Sequence, residues 1–200
     1  MYRTRASADE IARLFAAVDR TGNEPWPVDV YPDRLAPIVR HGADGPEIAR
    51  ARWGMPTPPQ HLKTQRDPGV TNVRNTGSSH WRRWLGAESR CLVPLVAFSE
   101  PGPDRKPLWF EPVDEAPMFF AGIQTCGWTS VRKVKDGATT DDLFAFLTTA
   151  PNAEVGAVHP RAMPVILTKP DEWQAWLAAP WNEARDLQRP LPDGALRIVS

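Results

Sequence analysis

Cysteine is scarce in this chain: Cys91 and Cys126 are the only two among 200 residues, too few for a disulfide framework or for a thiolate zinc site without help from histidine. A reducing, cytoplasmic setting is the natural expectation. No run of about 18 apolar residues occurs and the N-terminus has no apolar h-region, so neither a membrane span nor a secretory leader is read. Charge of one sign is lacking as well. Lys+Arg and Asp+Glu stand at 24 each, so no global field draws the protein to nucleic acid or anionic lipid, and any such attraction has to come from a local patch. His41, His61 and His80 show no metal-ligand spacing with one another or with the acids; no metal site and no cofactor are expected. There is no internal repeat.

Proline and tryptophan, by contrast, are abundant, at 22 and 9. The prolines are spread along the chain, and each removes a backbone donor and disfavours helix at the preceding residue, so long helices should be few. Two helices still read clearly. One covers 7–18, where Ser7 caps, Glu10 follows at capping-box spacing, and Ile11, Leu14, Phe15 and Val18 share a face. The other begins at Pro170-Asp171 and carries Trp173, Trp176 and Leu177 at helical spacing. Short apolar or alternating runs at 36–39, 49–53, 91–96, 108–110, 118–123, 143–147 and 164–167 read as strands. The combination predicts an α+β fold, one compact domain over 1–200 with a strongly curved sheet or open barrel and few helices. Segments 56–69 and 100–106 read as surface loops within it.

Four residue groups carry possible chemistry. Asn72 and Arg74 alternate along an extended segment, so they share one face while Val73 takes the other. Arg74 could fork onto a phosphate with Asn72 at an adjacent reacting group, or Arg74 could simply pair with a surface acid. Glu100 follows an apolar strand, where a half-buried carboxylate can act as acid or base; the bland alternative is an ordinary loop acid. His159 lies before a strand with Arg161 beside it, and is either functional or a satisfied structural histidine. The run His80-Trp81-Arg82-Arg83-Trp84 interleaves rings and cations like a single-strand platform. Its spacing equally suits two core-facing tryptophans. Cys91, among Leu92, Val93 and Leu95, reads as a buried, inert thiol.

In their order, Ala36-Pro37, Trp53-Gly54-Met55-Pro56, Asn72-Val73-Arg74-Asn75, Arg90 to Pro94 with Glu100, Phe120 to Ile123, Leu147-Thr148-Thr149 and His159 before Arg161 to Leu167 resemble the SOS-response-associated peptidase (SRAP) family. The resemblance runs from about Ser7 to Val199. It implies a compact α+β fold around a barrel-like mixed β-sheet with a groove for single-stranded DNA, and a protein that traps abasic sites as a DNA–protein crosslink and removes its own initiator methionine. It further implies Asn72, Glu100 and His159 as catalytic residues, orienting the N-terminal amine, moving protons and stabilising the sugar. Arg74, Asn75 and Arg161 would contact DNA. The partner implied is single-stranded DNA with abasic sites, bound by a monomer away from membranes.

The family chemistry uses a cysteine directly after the initiator methionine, and here position 2 is Tyr2. Many relatives of this type begin Met-Cys-Asn-Leu-Tyr, so Met1-Tyr2-Arg3 looks like that opening with three residues missing before Tyr2, the nucleophile either lost from this sequence or naturally absent. The chain as written is therefore expected to bind DNA without forming a thiazolidine, which keeps a non-catalytic single-strand-binding reading alongside the enzymatic one. Ala97 and Pro101 also depart from the family pattern around Glu100, where glycine and tryptophan are usual.

Overall fold

The structure is a computed structural model that describes residues 1–4, 7–22, 25–102, 104, 106–114 and 116–199. Its centre is a closed ring of five strands. Gly137–Thr149 pairs antiparallel with Met118–Lys133, which pairs with Arg90–Leu95, then Leu35–Gly42, then Gly45–Trp53. The ring closes where Arg52 and Trp53 pair in parallel with Leu143 and Phe144. The curved sheet is thus a closed mixed barrel and not an open one, and closure leaves none of the five an unpaired edge.

Period-two alternation explains how the barrel packs on both faces. Ile38, Cys91, Val93, Phe120, Phe144 and Phe146 belong to one apolar cluster together with Tyr2, Phe98 and Phe110 of a second sheet. Their chain neighbours Val39, Leu92, Phe119, Ala121, Leu143, Ala145 and Leu147 point the other way, into a cluster with Trp173, Trp176 and Leu177 of the helix Pro170–Ala178. Trp176 is fully buried, and its indole Nε1 donates to the carbonyls of Cys91 and Gly122 at 3.0 and 3.1 Å. That satisfies a donor that burial would otherwise strand. The second sheet runs in the order Leu196–Val199, Pro107–Pro112, Ala97–Pro101, Tyr2–Arg3, Asp29–Val30.

Local differences from the sequence expectation have local causes. The first helix spans Ala8–Phe15, capped by Ser7 Oγ accepting from Glu10 N–H at 3.2 Å, and ends before Val18 because Ala16 turns left-handed at φ 49°. Val18 then joins the sheet beside Glu47. The runs at 118–123 and 143–147 are the apolar ends of strands that continue into a polar hairpin arm. The run at 164–167 is split, Met163–Pro164 pairing with Thr148 and Thr149 while Ile166–Leu167 pairs with Phe119 and Phe120. Segment 100–106 is not all loop: Glu100 and Pro101 extend the Ala97–Pro101 strand opposite Leu108 and Pro107, and Pro103 and Arg105 lie outside the described residues. Trp81 precedes and Trp84 ends the single turn Arg82–Trp84, and both rings are buried. They are core side chains, with Arg83 lying 4.0 Å over the Trp84 ring.

Candidate functional site

Where the second sheet meets the barrel there is a cavity of about 210 Å³, lined by Met1, Asn72, Ser99, Glu100, Thr148 and His159 over an aromatic wall of Trp53, Phe98, Phe120 and Phe146. Each polar group arrives on its own element. Asn72 and Val73 form a two-residue strand paired in parallel with Phe146 and Leu147, Val73 buried and Asn72 exposed. The Trp53 indole donates to Thr71 O at 3.0 Å and so fixes the approach to Asn72. Glu100 comes from the Ala97–Pro101 strand. His159 follows the short helix Ala153–Gly156, its N–H donating to Val155 O at 2.7 Å. The cap of that helix is Asn152, buried, whose Oδ1 accepts from Val155 N–H at 3.1 Å.

Glu100 Oε2 and His159 Nδ1 lie 3.7 Å apart, with 21% and 33% of their side chains exposed. Burial raises the Glu100 carboxyl above its ordinary value, although the charges of His159 and the N-terminus pull it back. Burial likewise lowers the Met1 amine, with Glu100 opposing that shift. Both shifts move toward the neutral forms, and carbonyl addition is helped by that direction in an amine nucleophile and in a nearby proton donor. Met1 is held by its carbonyl, which accepts from Ser99 N–H at 3.0 Å. Tyr2, the residue after it, is 1% exposed and packs edge-on to Trp53 and Phe120 at 5.3 and 5.4 Å between centroids.

Of the sequence-predicted residues, Asn72, Glu100 and His159 thus meet in one cavity, whereas Arg74, Asn75 and Arg161 are exposed and do not line it. Arg74 Nη1 donates to Thr149 O at 2.6 Å and Arg161 O at 3.4 Å, which brings both arginines to the same rim. Among the described residues Arg74 is therefore bound to carbonyls and not to a surface acid. Asn75 sits in a turn, its Oδ1 accepting from Gly77 N–H at 3.1 Å. Neither cysteine lines the cavity. Cys91 is buried, which pushes its thiol far up; exposed Cys126 lies beside Arg40, and partial burial raises its thiol as well. Among the described residues no three His, Cys, Asp or Glu side chains gather as a metal site, and no helix is long and apolar enough to cross a membrane. Sequence reasoning placed the N-terminal amine beside Asn72 through the family resemblance but missed Ser99 and Thr148 as lining groups, of which only the alternation of Ser99 with Phe98 gave a hint.

The whole chain, residues 1–200, matches the family model described as SOS response associated peptidase (SRAP). Solved structures share the fold. A protein of Bordetella bronchiseptica superposes with a TM-score of 0.74 at 23% identity, covering 99% of this chain and 97% of that one. A protein of Bacteroides thetaiotaomicron gives 0.77 at 20% identity over 98% and 89%. A phage-related protein of Bordetella bronchiseptica gives 0.68 at 19% identity over 99% and 92%. No curated protein matches the sequence.

Proposed function

The chain belongs to the SOS response associated peptidase family, and from that premise we propose that its cavity is an abasic-site sensor for single-stranded DNA, working as one domain and a monomer. The observation that carries this reading is the convergence of Asn72, Glu100, His159 and the first residue of the chain on one small cavity. In the proposed chemistry a primary amine at the chain start adds to the ring-opened sugar aldehyde and water leaves, giving a Schiff base. A cysteine thiol then adds across the C=N bond to close a thiazolidine, its proton passing to the nitrogen. Glu100 supplies and removes the protons of ring opening and dehydration, Asn72 orients the amine, and His159 stabilises the sugar. Arg74 and Arg161 meet flanking phosphates, contacts that position a strand without reading sequence. The same carboxyl would serve the removal of an initiator methionine.

Tyr2 stands where that chemistry needs a cysteine, and neither thiol of the chain lines the cavity. This favours a second reading for the sequence with Met1 directly before Tyr2: a non-covalent single-strand binder, or one limited to a reversible Schiff base. The deciding experiment inserts Cys-Asn-Leu between Met1 and Tyr2 and incubates both forms with abasic single-stranded DNA. A heat-stable adduct on a denaturing gel is expected only with the insertion. An equal adduct from the unmodified chain overturns the assigned nucleophile; no adduct from either, once the exposed cysteine is verified by mass spectrometry, overturns the covalent reading.

A further inference from the structure

The two-residue strand Asn72–Val73 is too short to hold Arg74 by itself. Its ladder pairs Asn72 with Phe146 and Val73 with Leu147, and one further step of that register would set Arg74 against Thr148. The ladder stops there, leaving the carbonyls of Arg74 and Thr148 in need of donors. One side chain supplies both. Gln188 Nε2 donates to Arg74 O at 2.8 Å and to Thr148 O at 3.0 Å, using the two N–H groups of its primary amide. Its Oε1 accepts from Thr76 Oγ1 at 3.0 Å, and its own carbonyl accepts from Thr149 Oγ1 at 3.4 Å. Reversing the amide would face its oxygen against two carbonyls, so these partners determine its orientation.

The anchor is itself well held. Gln188 ends the turn Arg185–Leu187, with its N–H donating to Arg185 O at 3.0 Å. The next residue, Arg189, pairs with the buried carboxylate of Glu172 in the helix Pro170–Ala178. We propose that Gln188 is a positioning residue of the site, replacing the missing ladder rung and holding the Asn72–Arg74 segment against the barrel. The inference rests on the reading of Arg74 as a phosphate contact.

The test uses the full chain with Gln188→Met, which keeps length and removes both donors, and Gln188→Glu, which keeps shape and turns the donors into acceptors. Hydrogen exchange of the free proteins comes first. Amides of 72–76 are expected to exchange roughly tenfold faster in both variants while the barrel strands keep their protection. Binding of oligothymidylate across a salt series comes second. The log–log slope should shrink by about 0.7, the value of one phosphate contact on a single strand, matching Arg74→Gln, and the Q188M/R74Q double variant should lose nothing more. A merely structural glutamine would lower melting temperature and leave the slope alone. Unchanged exchange at 72–76, or a slope altered by R74Q but not by Q188M, overturns the proposal. If R74Q itself leaves the slope unaltered, it is the phosphate role of Arg74 that fails, and the exchange rates alone decide for or against Gln188.

Discussion

Glu100 Oε2 stands 3.7 Å from His159 Nδ1, joining a strand of the second sheet to the segment that leaves the helix Ala153–Gly156. Neither residue has a signature of its own in the sequence. Their meeting sets an imidazole and the Met1 amine beside a carboxyl, with burial raising the acid and lowering the amine. Three consequences concern that site and its frame, and a fourth concerns the barrel beneath it.

Replacing Glu100 by Gln should stabilise the protein while disabling it. Folding raises the Glu100 carboxyl, so between its ordinary and its folded value the folded chain holds more protons than the unfolded one. The stability tied to this group is therefore complete below the ordinary carboxylate value and declines as pH rises through the folded value. The Gln variant escapes that decline. Its melting temperature at pH 7 should exceed the parent's, by about 2–4 °C for each kcal/mol recovered, and the gap should close on acidification below the ordinary carboxylate range. In the Cys-Asn-Leu form, crosslinking or its reversal should slow by roughly 10²–10⁴-fold. Equal melting at both pH values together with unchanged rates would remove Glu100 from this role.

Arg161 should carry one phosphate. Single-stranded DNA binding is expected to weaken with salt, two arginine contacts giving a log–log slope near −1.4. Arg161→Gln should bring it to about −0.7 with no change in base preference. Salt-independent binding, or a preference for duplex, would refute the rim as a DNA contact.

Tyr2 should matter through its ring and not its hydroxyl. The ring is enclosed by Trp53, Phe120 and Phe146, whereas the hydroxyl is buried without a hydrogen-bond partner among the described residues. Tyr2→Phe removes an unpaired polar group and should leave stability equal or raise it by up to about 1 kcal/mol. Tyr2→Ala should cost about 3–5 kcal/mol, as large aromatic truncations do. Denaturant titration of the three proteins checks the order.

Gly122 should resist any side chain. It pairs with Cys91 in the barrel, and a Cβ there would come within 2.8 Å of Cys91 Sγ and 3.2 Å of Ala145 O. Gly122→Ala is expected to cost about 1–3 kcal/mol by overpacking, measurable as a lowered denaturation midpoint. Pairing the change with Cys91→Ala, which clears the nearer atom, should recover part of the loss.

Several features of this protein were determined by the sequence itself. Apolar runs such as 91–96 and 143–147 alternate or stay apolar over short spans, and that pattern is a local consequence of which side chains must leave water. Ser7 with Glu10 set the start of the first helix, and the alternation of Asn72, Val73 and Arg74 sorted polar from buried side chains. The ordered motifs identified the family. Tertiary structure decided the rest. Closure of the barrel depends on parallel pairing of Arg52 and Trp53 with Leu143 and Phe144, contacts whose register no local periodicity encodes. The burial of Tyr2, the placement of Met1 beside Glu100, and the bridge from Gln188 to Arg74 and Thr148 likewise arise only when distant segments pack. A side chain's face is written in its neighbours along the chain; what that face will touch is set by which elements the folded core brings together.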